Sequence, residues 1–219
     1  MILHIETSTK VCSVALSNQG VLLDVLESSS DQFIHGEALT TMIHVLLKRN
    51  ALEIESLTAI STALGPGSYT GLRIGLATTK GLVFGLGIPF IGISSLESLI
   101  ELARIKHPSM AIAAAFDARR NEVFLRVQHE ENVLITDRPE EISGAFIPPV
   151  QPLMWVGDAN EKLRALLQVD HQFFDDDTTP SASGQVRLSF ERYSAGMFED
   201  IHAIKPNYTK AFYTTAPST

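Results

Sequence analysis

Leu64-Gly65-Pro66-Gly67-Ser68-Tyr69-Thr70-Gly71-Leu72-Arg73-Ile74-Gly75 reads as the end of a strand, a tight loop and the start of a helix. The strand is Leu57 to Ala63, a short apolar run with Ser and Thr interspersed. Gly65 and Gly67 permit backbone angles closed to other residues, and Pro66 fixes the turn between them. Ser68 or Thr70 suits the N-cap, where a hydroxyl accepts a hydrogen bond from an orphan helix N–H. The helix is expected to run to about Gly85. At about 100° per residue, Gly71, Ile74, Gly75, Thr78, Gly81, Leu82 and Gly85 share one broad face. Each glycine inside a helix costs roughly 1 kcal/mol relative to alanine, and a helix that carries several usually does so to admit another backbone. Two readings follow: a phosphate cradle at a helix N-terminus, or a tight packing element. The pattern G-x-x-x-x-G-K-[ST] does not occur here, which favours packing.

Upstream, residues 2 to 5 form an apolar strand and Glu6-Thr7-Ser8-Thr9-Lys10 a polar turn. Val11 to Ser17 is a second strand, and Asn18-Gln19-Gly20 turns the chain into a third, Val21 to Leu26. Ser28-Ser29-Ser30 reads as linker. A helix from about Phe33 to Arg49 carries Ala38, Leu39, Met42, Ile43, Leu46 and Leu47 at helical period. His35, Glu37 and His44 lack the spacing of a helical metal site and read as surface or interface residues. Downstream, Pro89 to Ile93 is a short strand, and Ser94 or Ser95 caps a helix to about Lys106. Strands alternating with helices imply an α/β layer structure.

His107-Pro108-Ser109 marks a boundary. Beyond it, strand Met110 to Phe116, polar turn Asp117-Ala118-Arg119-Arg120-Asn121-Glu122 and strand Val123 to Val127 repeat the layout of residues 2 to 17, with Asp117 in the place of Glu6. A duplicated hairpin with an acid at each turn suggests two related lobes across a cleft. We divide the chain into 1–106 and 107–219, with a C-terminal segment able to pack back on the first lobe. In such a cleft Glu6, Thr7 and Ser8, facing Asp117 to Arg120, are candidates to meet a nucleotide's phosphates and its metal, directly or through water. The competing reading is a pair of solvated hairpin turns. Gly157-Asp158-Ala159-Asn160 is a thin candidate for the adenosine side.

The remaining segments carry weaker signals. Pro139 to Pro152 reads as loop, Leu153 to Val156 as strand, and residues from 160 to about Gln168 as helix. Asp175-Asp176-Asp177 reads as solvated surface. Residues 183–200 are expected to be helical, Tyr208 to Thr214 a last strand, and 215–219 a frayed tail.

The chain has 219 residues, 45% of them hydrophobic, and a formal net charge of −8. That charge argues against a self-sufficient nucleic-acid binder. A single cysteine, Cys12, excludes an internal disulfide framework and suits a reducing compartment. The N-terminus lacks the basic region of a signal peptide, and no apolar run reaches a membrane span of roughly 18 residues. A cytoplasmic protein is expected.

Four collinear segments carry a resemblance. They are Ile2-Leu3-His4-Ile5-Glu6-Thr7-Ser8-Thr9, the block Gly65 to Gly75, Gly92-Ile93-Ser94-Ser95-Leu96-Glu97, and Asp117-Ala118-Arg119-Arg120-Asn121-Glu122-Val123-Phe124. Together they resemble the TsaB (YeaZ) family, subunits of the bacterial machinery that makes N6-threonylcarbamoyladenosine at position 37 of tRNAs reading ANN codons. The resemblance implies an actin-like (ASKHA, ribonuclease H-like) fold and paralogy with the catalytic subunit TsaD, whose related Gly-Pro-Gly block is followed by a metal-binding His-x-x-x-His. Here the counterparts are Ser95 and Leu99, so no catalytic residue and no metal ligand is assigned. Glu6 stands where many relatives have Asp, which weakens the case for an intact nucleotide site.

The resemblance further implies a subunit that binds and activates a TsaD-like paralog alongside the ATPase TsaE, and that also pairs with itself. Contact with tRNA would be made only through the complex. No cofactor is expected in the isolated chain, with ATP or ADP entering only in the complex. Pairing through first-lobe helices points to Leu39, Met42, Ile43, Leu46, Gly71, Ile74, Gly75, Thr78, Leu82 and Gly85 as interface residues. The alternatives are an actin-like ATPase or small-molecule kinase using Glu6 and Asp117, and, lower still, a peptidase.

Overall fold

The computed structural model describes residues 1–29, 35–143, 146–167 and 170–207. The first sheet contains β1 (Ile2–Glu6), β2 (Val11–Asn18), β3 (Val21–Ser29), β4 (Ala59–Ala63) and β5 (Phe90–Ile93), in the order β3-β2-β1-β4-β5. β1–β2 and β2–β3 are antiparallel, and β1–β4 and β4–β5 parallel. Helices α1 (His35–Arg49), α2 (Tyr69–Leu86) and α3 (Ser95–Lys106) follow β3, β4 and β5.

The second sheet repeats this plan. It contains β6 (Ala111–Asp117), β7 (Glu122–His129), β8 (Asn132–Glu141), β9 (Leu153–Val156) and β10 (Gln172–Asp175), in the order β10-β9-β6-β7-β8. β6–β7 and β7–β8 are antiparallel, and β6–β9 and β9–β10 parallel. Helix α4 (Asn160–Leu166) follows β9, and α5 (Val186–Ser194) follows a 3-10 turn, Ala182–Gln185. The hairpin repeat seen in the sequence is therefore the seed of a repeated five-stranded sheet.

Several elements differ from expectation. β8 occupies residues read in part as loop. It is an edge strand, where Pro139 costs no ladder hydrogen bond in the sheet interior. β10 is four residues long and lies among acids, so its apolar signal is small. Ser28 and Ser29 pair with Cys12 and Val11 as the end of β3 rather than forming a linker. The helix expected over 183–200 is divided into the 3-10 turn and α5. The expected strand Tyr208 to Thr214 and the tail lie outside the described residues, as do the side chains of His35 and Glu37.

The lobes as packed are not the two halves of the sequence. Leu96, Leu99, Ile100 and Ala103 of α3 pack on Ile112, Ala114 and Phe116 of β6 and Val156 of β9, in the second sheet. Leu188 of α5 packs on Ile2, Ala59, Ile91 and Ile93 of the first. Each sheet thus takes one helix from across the 106/107 boundary.

A buried polar set fixes α5 in place. His4, in β1, lies 2.7 Å from Ser17 Oγ through Nε2, and 3.2 and 3.3 Å from Ser61 and Ser189 Oγ through Nδ1. Burial lowers its pKa to about 3, so the ring is neutral. Gln185 Nε2 donates to Ile5 O (2.8 Å), and the Ala182 N–H to Ser13 Oγ (2.9 Å).

Candidate functional site

Ser68 caps α2: its hydroxyl accepts from the Gly71 N–H (3.2 Å). Its own N–H donates to Ser8 O (2.6 Å), which brings the loop onto the turn after β1. A Cβ on Gly67 would run into the Ser8 backbone oxygen, and one on Gly75 into Thr7 Oγ1. The close approach that the glycines permit is therefore to this chain's own Thr7–Ser8 turn.

That contact seals the first candidate loop. Glu6, Thr7 and Ser8 are all buried. Glu6 Oε1 accepts from the Ser8 N–H (2.7 Å). Burial pushes the Glu6 carboxyl up to about 6, against the hydrogen bonds from Ser8. Glu6 Oε2, Thr7 Oγ1 and Ser8 Oγ find no hydrogen-bond partner among the described residues. Glu6, Thr7 and Ser8, expected on a phosphate-facing loop, lie buried beneath the glycine loop rather than open to solvent.

The second loop behaves similarly. The Asp117 N–H donates to Asp158 Oδ1 (2.8 Å), while Asp117 Oδ1 accepts from the Arg119 N–H (2.6 Å) and pairs with Lys162 of α4. A Cβ on Gly157 would strike Ala115 O, so Gly157-Asp158 closes on the β6 turn as Gly67-Ser68 closes on the β1 turn. Burial raises the Asp158 pKa against the hydrogen bond from the Asp117 N–H; the Asp117 carboxylate adds to the rise and Lys162 opposes it. Glu6 and Asp117 are each engaged within their own lobe, and the Asp117 carboxylate is matched by a cation. This is the internal economy of two hairpin turns and gives the kinase reading no support.

At the head of α3, Ser95 and Leu99 are both fully buried, and the Ser95 N–H donates to Gly65 O (3.0 Å). Leu99 lies in the apolar core. Among the described residues no group of three or more His, Cys, Asp or Glu side chains is arranged to hold a metal ion.

The expected interface residues divide. Leu39, Ile43 and Leu46 belong to the core between α1 and the first sheet, and Gly71 and Gly75 are buried. These five correct the expectation, because an amphipathic helix turns its apolar stripe to its own sheet first. Met42, Ile74, Thr78 and Leu82 are half-buried, and Gly85 is exposed with nothing within 4 Å of a Cβ. Between α1 and α2 runs a groove of about 540 Å³, lined by Ile43, His44, Leu47, Leu52, Thr78 and Leu82 among others.

Sequence reasoning also missed Asp175. It is buried rather than solvated, accepts from the Asp177 and Thr178 N–H groups (2.9 and 3.0 Å) and Thr178 Oγ1 (2.7 Å), and meets His107 Nε2 (2.9 Å). Burial alone would raise its pKa, but these bonds outweigh it and hold the carboxyl well below the usual range. A short strand ending in an Asx-type turn was the available signal.

Two lobes, each built on the same β-order and meeting at helices exchanged between them, define an actin-like (ASKHA, ribonuclease H-like) protein. The family model for TsaD, tRNA N6-adenosine threonylcarbamoyltransferase, matches residues 31–174. The chain is 36% identical over 132 residues to the tRNA threonylcarbamoyladenosine biosynthesis protein TsaB of Haemophilus influenzae, covering 60% of this chain and 55% of that protein. It is 35% identical over 161 residues to TsaB of Escherichia coli, covering 67% and 69%. TsaB of Bacillus subtilis matches at 28% over 95% and 93%. The solved structure of YeaZ from Pseudomonas aeruginosa superposes with a TM-score of 0.84 at 25% identity, covering 94% of this chain and 98% of that one. The chain belongs to the TsaB (YeaZ) family.

Two outcomes are expected. Gly75→Ala presses a methyl group on Thr7 Oγ1 and lowers stability by about 1–3 kcal/mol, measured by denaturant unfolding; an unchanged midpoint would show that the turn yields freely. Glu6→Gln removes a carboxyl whose folded pKa lies above its unfolded value. The folded chain binds more protons than the unfolded between pH 4.5 and about 6, so Glu6 destabilises increasingly as pH rises through that window. The variant should exceed wild type by about 2 kcal/mol above pH 6.5 and by nothing near pH 4. Neutral His4 contributes the opposite slope below its ordinary 6.5 in both proteins, so the quantity to read is their difference.

Proposed function

We propose that this chain is a non-catalytic partner subunit in threonylcarbamoyl transfer to adenosine 37 of tRNAs reading ANN codons. It acts by binding and activating a TsaD-like catalytic paralog, together with a TsaE-like ATPase. The observation that carries the reading lies at α3, where Ser95 and Leu99 are the residues that the resemblance sets against the paralog's histidine pair. Both are buried, and a leucine in an apolar core offers no electron pair to a metal. The burial of Glu6, Thr7 and Ser8 supports the same reading, since the first acid is not offered to solvent.

The partner surface is the α1–α2 groove, lined in part by Thr78 and Leu82, together with Met42, Ile74 and Gly85 of the same two helices. Met42, Ile74 and Leu82 pack against the first core and keep part of their surface exposed, and an apolar groove beside them suits a docking face. A homodimer would use the same face. The net charge of −8 leaves tRNA to be held mainly by the other subunits. The place of action is the cytoplasm, where the tRNA is; among the described residues no helix is long and apolar enough to cross a membrane.

Reconstitution tests the reading. The chain alone should transfer nothing to tRNA, and adding it to the catalytic paralog with the ATPase should raise product formation; transfer by the chain alone, or no effect on the paralog, would sink the proposal. Gly85→Trp should leave unfolding unchanged, because its side chain enters open space, and weaken association with the paralog about tenfold, or roughly 1.4 kcal/mol. Normal binding would place the interface elsewhere. Calorimetry of the isolated chain with Mg-ATP should give no binding heat.

A further inference from the structure

The exchanged helices meet each other. Gly184, in the 3-10 turn that leads into α5, has its Cβ position filled by Ser98 O of α3, with Ser98 Oγ and Leu102 Cγ 2.7 and 2.9 Å away. This contact is close to backbone on backbone. The Ser98 and Leu102 side chains flank that carbonyl, so the turn is seated closely on α3 and only glycine fits there.

Charge lies on either side of it. Glu97 and Glu101, one turn apart on α3, face two arginines of α5. Arg192 Nη2 is 2.9 Å from Glu97 Oε2, and Arg187 Nε is 2.5 Å from Glu101 Oε2. Arg192 also bonds Gly92 O of β5, in the first sheet. From the second sheet, Arg126 of β7 reaches Glu97 (3.6 Å) and Asp137 of β8 (3.0 Å), and Asp137 accepts from Ser94 Oγ, the cap of α3. Glu97 is therefore shared between an arginine fixed to one sheet and an arginine fixed to the other.

The Glu97, Glu101, Arg126 and Asp137 side chains are 10–19% exposed. Pairs this deeply placed contribute little net stability over an apolar replacement, but they are selective about geometry. Arg126 Nε is buried without a hydrogen-bond partner, so the arrangement is not saturated.

We propose that Glu97, Glu101, Arg126, Arg187 and Arg192 form a latch that holds the two lobes at one relative angle, and that its release lets that angle change about the Gly184 contact. The movement reaches the glycine loop, because the Ser95 N–H is bonded to Gly65 O and the loop's Ser68 N–H to Ser8 O. Lobe angle and the seat of α2 are coupled through those two bonds.

Spin labels on Glu55→Cys and Glu161→Cys, exposed positions in the first and second lobes, read the angle by pulsed electron paramagnetic resonance; Cys12 is buried and stays unlabelled. Wild type should give a single narrow distance population. Glu97→Gln combined with Glu101→Gln should add a second, broader population in a chain that still unfolds cooperatively, with faster hydrogen exchange at the Ser95 amide. If the folded double variant superposes on wild type, the charges merely decorate a fixed joint and the proposal fails. It fails equally if wild type already shows two populations. Should the double variant not fold, Arg187→Met, which keeps the aliphatic stem and removes only the half-exposed guanidinium, decides by the same two outcomes.

Discussion

The structure depends on one contact: the backbone of the Gly67 loop and the first turns of α2 lie directly on Thr7 and Ser8. It requires glycine at two positions, because any Cβ there would enter space already held by an oxygen. It joins the antiparallel half of the first sheet, through the β1 turn, to its parallel half, through the β4 loop. It also has an energetic consequence. Sealing the turn buries a carboxyl and leaves three oxygens without hydrogen-bond partners among the described residues, which is costly in a low-dielectric interior. The packing of the loop must outweigh that cost.

The second lobe reaches the same arrangement with different chemistry. There Gly157 lies on Ala115, and Asp158 accepts the Asp117 N–H, so the loop is fixed by a side-chain acceptor rather than a backbone one. Asp117 remains at the surface and is balanced by Lys162, whereas Glu6 is buried and unbalanced. Duplication preserved the geometry of strand, turn and loop but not the electrostatics. Two acids that look equivalent in sequence occupy different environments, one buried and one exposed.

The reciprocal placement of α3 and α5 ties the two lobes together, since each sheet is completed by a helix whose chain neighbours belong to the other side. At the junction the Gly184 turn lies against Ser98 and Leu102, and the pairs of Glu97 with Arg192 and Glu101 with Arg187 lie beside it.

Much of this was legible in the amino-acid order. The β1–β2–β3 meander, β4, α2, β5, the Ser94 cap of α3 and the β6–β7 hairpin follow from local signals: period, turn residues and capping hydroxyls. The repeat of a strand–acid–strand unit already contained the two-lobed plan, and Ser95 and Leu99 already lacked the chemistry of a metal pair. Edge strands such as β8 and the short β10 were not legible, because their pairing partners rather than their composition hold them in the sheet. Nor was the fate of the glycines. Periodicity places Gly71, Gly75 and Gly85 on one face, but only the folded chain shows that Gly75 meets Thr7 while Gly85 meets nothing. The same holds for Leu39 and Leu46 against Met42 and Leu82: all are apolar at helical spacing, and depth within the tertiary structure separates core from surface. The sequence by itself determined most of the interior strands and the longer helices, since those depend on residues near one another in the chain. Tertiary structure alone decided which loops are closed, which acids are buried and which apolar faces remain free, because burial is set by residues that are far apart in the chain and adjacent only after folding.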